Sequence, residues 1–354
     1  MTQHNARLLF VPVSGPVGSG EYYRCLNIAR AIHRRRPEAA IHFLLNRHAE
    51  VERERAFSYH LIDSTPSLAG LAVDRVIQKL RPDLAVFDCS GRKRHLRAVK
   101  SGGGKVAWIS NRPHKRRRGF HPLVLRHIDL HLIGESARPE QRLSRLERWL
   151  LGMFGPARME FFSAVAPEIA ADQDGLPAGL PEEYAVFASG GGGYEHQGRP
   201  VPELFVDAAR RFREATGMAV VAVMGPQYRG GINTDAEVQV IDTLPTAAFG
   251  RLLAGARLGV FGGGFMLTSQ ALAAHLPVVL TAVGGRDQPQ RVRRYQGMGI
   301  ALSSALKPEE LSEQAIRLAA DSDLARQMVV NAKEAGMSND VVHCAEVLLE
   351  LLQD

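Results

Sequence analysis

Cysteine is scarce in this chain. Its three cysteines, Cys25, Cys89 and Cys344, are odd in number and far apart, which argues for reduced thiols and against a disulfide framework or a zinc site. No apolar run reaches the length of a membrane span. The start, Met1-Thr2-Gln3-His4-Asn5, is polar and leads directly into an apolar segment, without the apolar region of a signal peptide. A cytoplasmic protein is expected. Acidic residues are missing from one long stretch: none lies between Asp88 and Asp129, whereas twelve Lys or Arg lie from Arg92 to Arg126. Because the net charge of the whole chain is only +7, the remainder is net negative and the basicity is local. Aromatics, at 6%, are too few among these charges to stack bases, so nucleic acid is not the expected partner.

What is present is an ordinary globular composition, 45% hydrophobic and 23% charged, on a chain long enough for two cores. Apolar strand-like and amphipathic helix-like segments alternate, the pattern of parallel sheets covered on both faces. In the first half, strands are expected at Leu8–Val13, Ile41–Leu45, Leu84–Asp88, Val106–Ser110 and Leu130–Gly134. Helices are expected at Tyr22–Arg35, Leu68–Leu80 and Arg92–Ser101, then a less regular stretch through Arg142–Leu151. Within the basic region, Arg112–Arg118 reads as a loop. It is either a solvated loop or a surface for phosphates or an anionic membrane, with Arg112, Lys115, Arg116, Arg117 and Arg118 as the candidate contacts.

The second half restarts the alternation with a strand at Tyr184–Ala188, the loop Ser189-Gly190-Gly191-Gly192-Gly193 and a helix at Pro202–Thr216. The expected organisation is a domain over 1–166, a Pro- and Gly-bearing linker over 167–181, a second domain over 182–340 and a final helix over 341–354 that either returns to the first domain or serves a dimer. The fold class expected is α/β, two doubly wound Rossmann-like domains.

The densest chemical signal lies in Leu258–Ala301. A buried strand runs into Gly262-Gly263-Gly264, then a helix bearing Thr268-Ser269-Gln270, a strand at Val278–Thr281 and a loop with Arg286-Asp287-Gln288. Glycines between a strand and a helix let backbone amides approach an anion, and the helix dipole favours phosphate there. The second loop is placed to meet the sugar end of the same ligand. Each glycine motif also has a plainer reading, tight helix–strand packing.

In order and spacing these segments resemble the GT-B glycosyltransferases of family 28. That group includes a peptidoglycan N-acetylglucosaminyltransferase and a nucleotide-sugar hydrolase of pseudaminic acid synthesis. The resemblance covers most of the chain and is dense in the second half. It implies two domains facing a central cleft and donor contacts from Ser189, Gly190, Gly191, Gly192, Gly193, Leu244, Gly262, Gly263, Gly264, Phe265, Met266, Leu267, Thr268, Ser269, Gln270, Asp287 and Gln288. Near the amino terminus, Gly18-Ser19-Gly20-Glu21-Tyr22-Tyr23-Arg24 falls where the family has Gly-x-Gly-His-x-x-Arg, so Gly18, Gly20 and Arg24 join the donor set. This chain departs twice: Glu21 stands where the family has histidine, and Gln270 where it usually has glutamate. The resemblance also implies that no metal or other cofactor is needed.

Transfer needs a base for the acceptor hydroxyl. Glu21, opening a helix after the first strand, and Asp88, at a strand's carboxyl end, are the two candidates; each is also an ordinary helix-terminus residue. Three functions compete: a metal-independent, inverting transfer from a nucleotide-diphosphate sugar to an acceptor hydroxyl, the acceptor phosphorylated or lipid-linked; hydrolysis or epimerisation of that sugar; or non-catalytic binding of a nucleotide sugar or polyanion.

Overall fold

The computed structural model describes residues 5–14, 19–134, 143–155, 157–168, 179–231 and 238–353. It divides into two compact units, one of residues 1–165 and 340–354, the other of 166–339.

The first unit opens with β1 (Arg7–Pro12), α1 (Gly20–Arg35), β2 (Ala40–Asn46), β3 (Ser58–Ile62), α2 (Gly70–Leu80) and β4 (Leu84–Asp88). It continues through α3 (Lys93–Ser101), β5 (Lys105–Ser110), α4 (Pro113–Gly119), α5 (Pro122–Leu125), β6 (Leu130–Gly134), α6 (Arg145–Phe154) and β7 (Arg158–Phe162). All seven strands are parallel, in the order β3-β2-β1-β4-β5-β6-β7. The inner strands β1, β4, β5 and β6 are apolar runs buried on both faces, as helix-covered parallel strands must be. Strand order reverses between β1 and β4, with Pro12 opposite Asp88 in register. That reversal leaves a crevice at the carboxyl ends of those strands, where doubly wound folds place ligands.

Three expectations for this half are corrected. Arg112–Arg118 is not a loop: Pro113 fixes the first helical position of α4, and the Lys and Arg that follow are good helix formers. The stretch through Arg142–Leu151 is regular from Arg145 on, because Ser144 and Glu147 form a capping box. The edge strands β3 and β7 were not anticipated. Both are half-exposed and mix polar with apolar residues.

The second unit runs β8 (Tyr184–Ala188), a short hairpin of β9 (Glu195–His196) and β10 (Arg199–Pro200), α7 (Val201–Thr216), β11 (Ala219–Val223), β12 (Gln239–Ile241), α8 (Thr246–Gly255) and β13 (Leu258–Gly262). Then come α9 (Phe265–Ala273), β14 (Val278–Thr281), α10 (Gln288–Gly297), β15 (Leu302–Ser303), α11 (Pro308–Ala320) and α12 (Ser322–Glu334). The main sheet is again parallel, β12-β11-β8-β13-β14-β15, with its reversal between β8 and β13. The two glycine loops follow these adjacent strands and are therefore neighbours.

The chain then returns to the first unit. The Asp340 carboxylate accepts from the Ser163 amide at 2.6 Å, and the Asp340 amide donates to the Ala164 carbonyl at 2.8 Å. The last helix, α13 (Val341–Glu350), packs on α1, and its Val341, Cys344, Ala345, Val347 and Leu348 are buried. Val342, Leu349 and Leu352 are half-buried.

Candidate functional site

In the second unit, β8 delivers Ser189 beside Gly262 at the end of β13. A Cβ on Gly262 would lie 2.2 Å from the Ser189 carbonyl oxygen, so only glycine lets the two strand ends come this close. The rest of the Ser189–Gly193 loop is pressed onto the turn after β11. The Gln227 amide donates to the Gly191 carbonyl at 2.8 Å, and a Cβ on Gly192 would meet the Met224 carbonyl at 2.6 Å. Much of this glycine run therefore serves backbone packing. The open side is elsewhere. A Cβ on Gly264 would meet nothing within 4 Å, and one on Gly190 only the Leu267 side chain at 4.0 Å.

Gly264 is the N-cap of α9 and, having no side chain, offers the first turn of that helix no side-chain acceptor. The Ser189 hydroxyl is buried and has no hydrogen-bond partner. A helix start whose N-cap brings no side chain, its positive dipole end and an unsatisfied hydroxyl following the adjoining strand make a cradle for an anionic oxygen.

The loop after β14 is built around two side chains. Gln288 is buried, and its Oε1 accepts from the Val283 amide at 2.8 Å. Arg291, on α10, pairs with Asp287, donates to the Gly263 carbonyl at 2.8 Å and lies over the Phe265 ring at 5.5 Å. Arg291 thus ties the Asp287 loop to the Gly262–Gly264 turn. Tyr194 joins the third loop to these two, its ring lying against the Gly284 backbone, where a Cβ would be 2.4 Å away.

In the first unit the switch point is occupied by an ion pair. Arg24 Nε and Nη2 donate to Asp88 Oδ2 and Oδ1, each at 2.7 Å, and both residues are fully buried. Burial pushes the Asp88 carboxyl up and Arg24 opposes that push; burial also works against the Arg24 charge, but Asp88 outweighs it and Arg24 is held above its ordinary value. Glu21 is 8% exposed and accepts from Arg112 Nη2 at 3.1 Å. Lys115 donates to the carbonyl of Cys89 at 2.6 Å, and burial lowers its pKa. A second buried pair, Ser110 and His131 at 2.8 Å, lies between β5 and β6.

No family model matches the chain. Over 209 residues it is 26% identical to the UDP-N-acetylglucosamine--N-acetylmuramyl-(pentapeptide) pyrophosphoryl-undecaprenol N-acetylglucosamine transferase of Acetivibrio thermocellus, which covers 56% of this chain and 55% of that protein. The match thus spans about half the length of that relative. Among solved structures, CalG4, the calicheamicin glycosyltransferase, superposes with a TM-score of 0.68 at 17% identity, covering 99% of each chain. MurG of Acinetobacter baumannii superposes with a TM-score of 0.62 at 12% identity, covering 98% of this chain and 99% of that one. The spinosyn forosaminyltransferase SpnP does so at 0.65 and 16%, over 99% and 100%.

The chain has the GT-B fold.

On this GT-B framework the residues singled out from sequence separate into groups. Gly190, Gly262, Gly263, Gly264, Phe265, Met266 and Asp287 gather around the α9 N-terminus or its neighbouring loop, with Gln270 half-buried one turn further along that helix. Thr268 and Ser269 are corrected as side-chain contacts: both are fully buried, and their hydroxyls donate to the Gly264 and Phe265 carbonyls at 2.8 and 2.7 Å. Gln288 shapes its own loop, and Leu244 packs against the core below α8. Arg24 and Asp88 are corrected too, since each neutralises the other out of reach of solvent. Gly18 lies outside the described residues, and Gly20 opens α1.

The basic helix α4 is largely engaged within its unit. Arg112 holds Glu21, Lys115 the Cys89 carbonyl, Arg116 the Glu147 carboxylate at 2.7 and 2.9 Å, and Arg118 lies over the Trp108 ring. Of the five basic residues named there, Arg117 is the exposed one. Tyr194, the bridging role of Arg291 and the unsatisfied Ser189 hydroxyl were not anticipated; the Tyr directly after a glycine run was the one legible sign. Among the described residues no three His, Cys, Asp or Glu side chains are grouped to hold a metal ion, and no helix is long and apolar enough to cross a membrane.

Proposed function

We propose that the protein transfers a sugar from a nucleotide-diphosphate donor to an acceptor hydroxyl. The observation that carries this reading is the N-terminus of α9, where Gly264 leaves open space and no N-cap side chain, beside the unsatisfied Ser189 hydroxyl. The donor diphosphate is met by the first α9 amides and by Ser189, and leaving-group charge is stabilised there without a metal. Gln270 hydrogen-bonds the ribose hydroxyls, more weakly than a carboxylate would. Asp287, oriented by Arg291, reaches the sugar.

Glu21 activates the acceptor hydroxyl for an inverting displacement, with Arg112 fixing its carboxylate. The acceptor is phosphorylated or lipid-linked and is met on the cytoplasmic side of a membrane. Support for this comes from the transferase relative, whose name specifies an undecaprenol-linked acceptor. Calorimetry with UDP-, dTDP- and GDP-sugars tests the donor, chelator treatment tests the metal, and the product anomer tests inversion. Absence of saturable binding to every nucleotide sugar overturns the proposal.

One observation favours a second reading, hydrolysis of the donor. With Asp88 locked by Arg24, Glu21 is the single carboxylate left of the two base candidates, and it is ion-paired. Nucleotide release from donor alone, as fast as with any acceptor, distinguishes it.

A further inference from the structure

We propose that Tyr194 is a positioning residue of the donor site: it fixes the Asp287 loop to the glycine loop after β8 and thereby sets how strictly the donor's sugar is selected. Tyr194 follows the Ser189–Gly193 run directly, and its carbonyl accepts from the Val201 amide at 2.9 Å. That bond moors the residue at the start of α7. Its ring lands on Gly284, in the loop after β14. In the sheet β13 lies between β8 and β14, so the contact joins two loops whose strands are not neighbours. The strand it spans ends in Gly262, beside the anion cradle.

Gly284 is shaped for that ring. A Cβ there would lie 2.4 Å from both Cδ1 and Cε1 of Tyr194 and 2.9 Å from Cγ, and these three ring atoms are its nearest neighbours. Its φ lies outside the left-handed region, so the backbone alone does not require glycine. The ring requires it. Core burial does not explain the contact, because Tyr194 remains 39% exposed. Beyond Gly284 the loop is closed on itself: the Gly285 carbonyl accepts from the Gln288 amide at 3.1 Å, and Gln288 Oε1 accepts from the Val283 amide at 2.8 Å. A shift at Gly284 is therefore carried to Asp287.

Asp287 is thus braced twice. Arg291 pairs with its carboxylate and donates to the Gly263 carbonyl at 2.8 Å, which ties the acid to the turn before α9. Tyr194 ties the backbone of the same loop to the other glycine loop. The phosphate cradle and the sugar loop form one frame, and that frame sets the distance from a bound diphosphate to Asp287. A carboxylate separates one sugar from its epimer only when it is held to within about 0.5 Å. Without the ring, Arg291 still orients the acid, but the loop adjusts to whichever sugar arrives. The cradle of α9 and Ser189 keeps its hold on phosphate. This role rests on the donor reading above, and bare nucleotide and nucleotide sugar are measured separately so that either can fail alone.

Calorimetry on the full chain separates the two contributions. UDP, dTDP and GDP are titrated alone and as UDP-glucose, UDP-N-acetylglucosamine, dTDP-glucose and GDP-mannose. Tyr194→Ala should bind the bare nucleotide within about twofold of wild type, and the nucleotide sugar about tenfold more weakly. A merely structural loss would weaken both alike. Tyr194→Phe should match the wild type, since the ring and not the hydroxyl meets Gly284. Gly284→Ala puts a methyl where the ring lies and should reproduce the Tyr194→Ala loss. With both alanines the loss should be no greater than with either alone. Each variant should melt close to wild type, both positions being exposed. An unchanged ratio in Tyr194→Ala, equal weakening of nucleotide and nucleotide sugar, no rescue by Phe, or additive losses in the double variant overturns the role. Absence of all nucleotide binding by the wild type overturns the donor reading with it.

Discussion

Arg24 and Asp88 close on each other with two parallel hydrogen bonds of 2.7 Å, and neither side chain is open to solvent. A strand-end aspartate in a doubly wound fold looks like a catalytic base; here it is the counter-ion of a helix arginine. Removing one partner leaves an uncompensated buried charge. Asp88→Asn should cost roughly 3–5 kcal/mol in urea unfolding. The double change Asp88→Asn with Arg24→Met should cost less than the two single changes together. A stable Asp88→Asn protein that has lost only turnover would restore Asp88 as a base.

Glu21 should behave in the opposite way. Its partner Arg112 is partly exposed, so the contact adds little to stability. Glu21→Gln should keep the wild-type melting temperature and nucleotide affinity while lowering product formation about 10²-fold or more. Undiminished turnover in that variant, measured by chromatography of the released nucleotide, would remove Glu21 from the reaction.

Gln270 lies one turn into α9, half-buried. Gln270→Glu restores a charged acceptor for ribose hydroxyls. Hydrogen bonds to charged groups are worth about 1 kcal/mol more than neutral ones, so donor affinity should rise several-fold. Calorimetry would show it, and equal or weaker binding would mean that Gln270 does not face the ribose.

The interior of each sheet was legible because continuous runs such as Leu84–Asp88 and Leu258–Gly262 are buried on both faces and leave a period-free apolar signal. The edges were not. Ser58–Ile62 and Arg158–Phe162 pack on fewer neighbours and carry polar residues at half-exposed positions. Helix α4 was hidden by its charge, because a run of Lys and Arg has no apolar stripe to mark a period. In the site, glycines and a helix start announced the anion cradle. Whether a hydroxyl faces out or back onto its own helix is a rotamer outcome, so the sequence does not show that Thr268 and Ser269 turn theirs onto the helix carbonyls. Long-range pairs such as Arg24 with Asp88, 64 residues apart, follow only from strand order.

Two buried histidines set an acid limit. Burial lowers His131 to about 3 and His95 to about 4, from an ordinary value of 6.5. Both are neutral in the folded and unfolded chain above pH 6.5, so their effect on stability is constant there. Below 6.5 the unfolded chain takes up protons that the folded one refuses, and stability falls until the folded pKa values are reached. The slope is about 1.4 kcal/mol per pH unit for each histidine. His131→Asn should flatten the fall between pH 6 and pH 4 by about one proton in urea unfolding measured across pH. An unchanged slope would mean that His131 is protonated in the folded protein.

Gly264 allows stability and binding to be separated at one position. Its φ of −65° and ψ of 140° suit any residue, and a Cβ there meets nothing within 4 Å. As the N-cap of α9 it contributes no side-chain acceptor, whereas aspartate is among the best N-cap residues. Gly264→Asp should therefore leave stability unchanged or raise it by a few tenths of a kcal/mol, because the new carboxylate accepts from the first-turn amides. The same carboxylate occupies those amides and repels phosphate. Affinity for UDP-, dTDP- or GDP-sugars, whichever binds the wild type, should fall about tenfold or more. Gly264→Ala, which adds volume without charge, should bind more tightly than the aspartate variant. Equal nucleotide affinity in all three proteins would show that the α9 amides do not hold the diphosphate, and the donor site would have to lie elsewhere in the second unit.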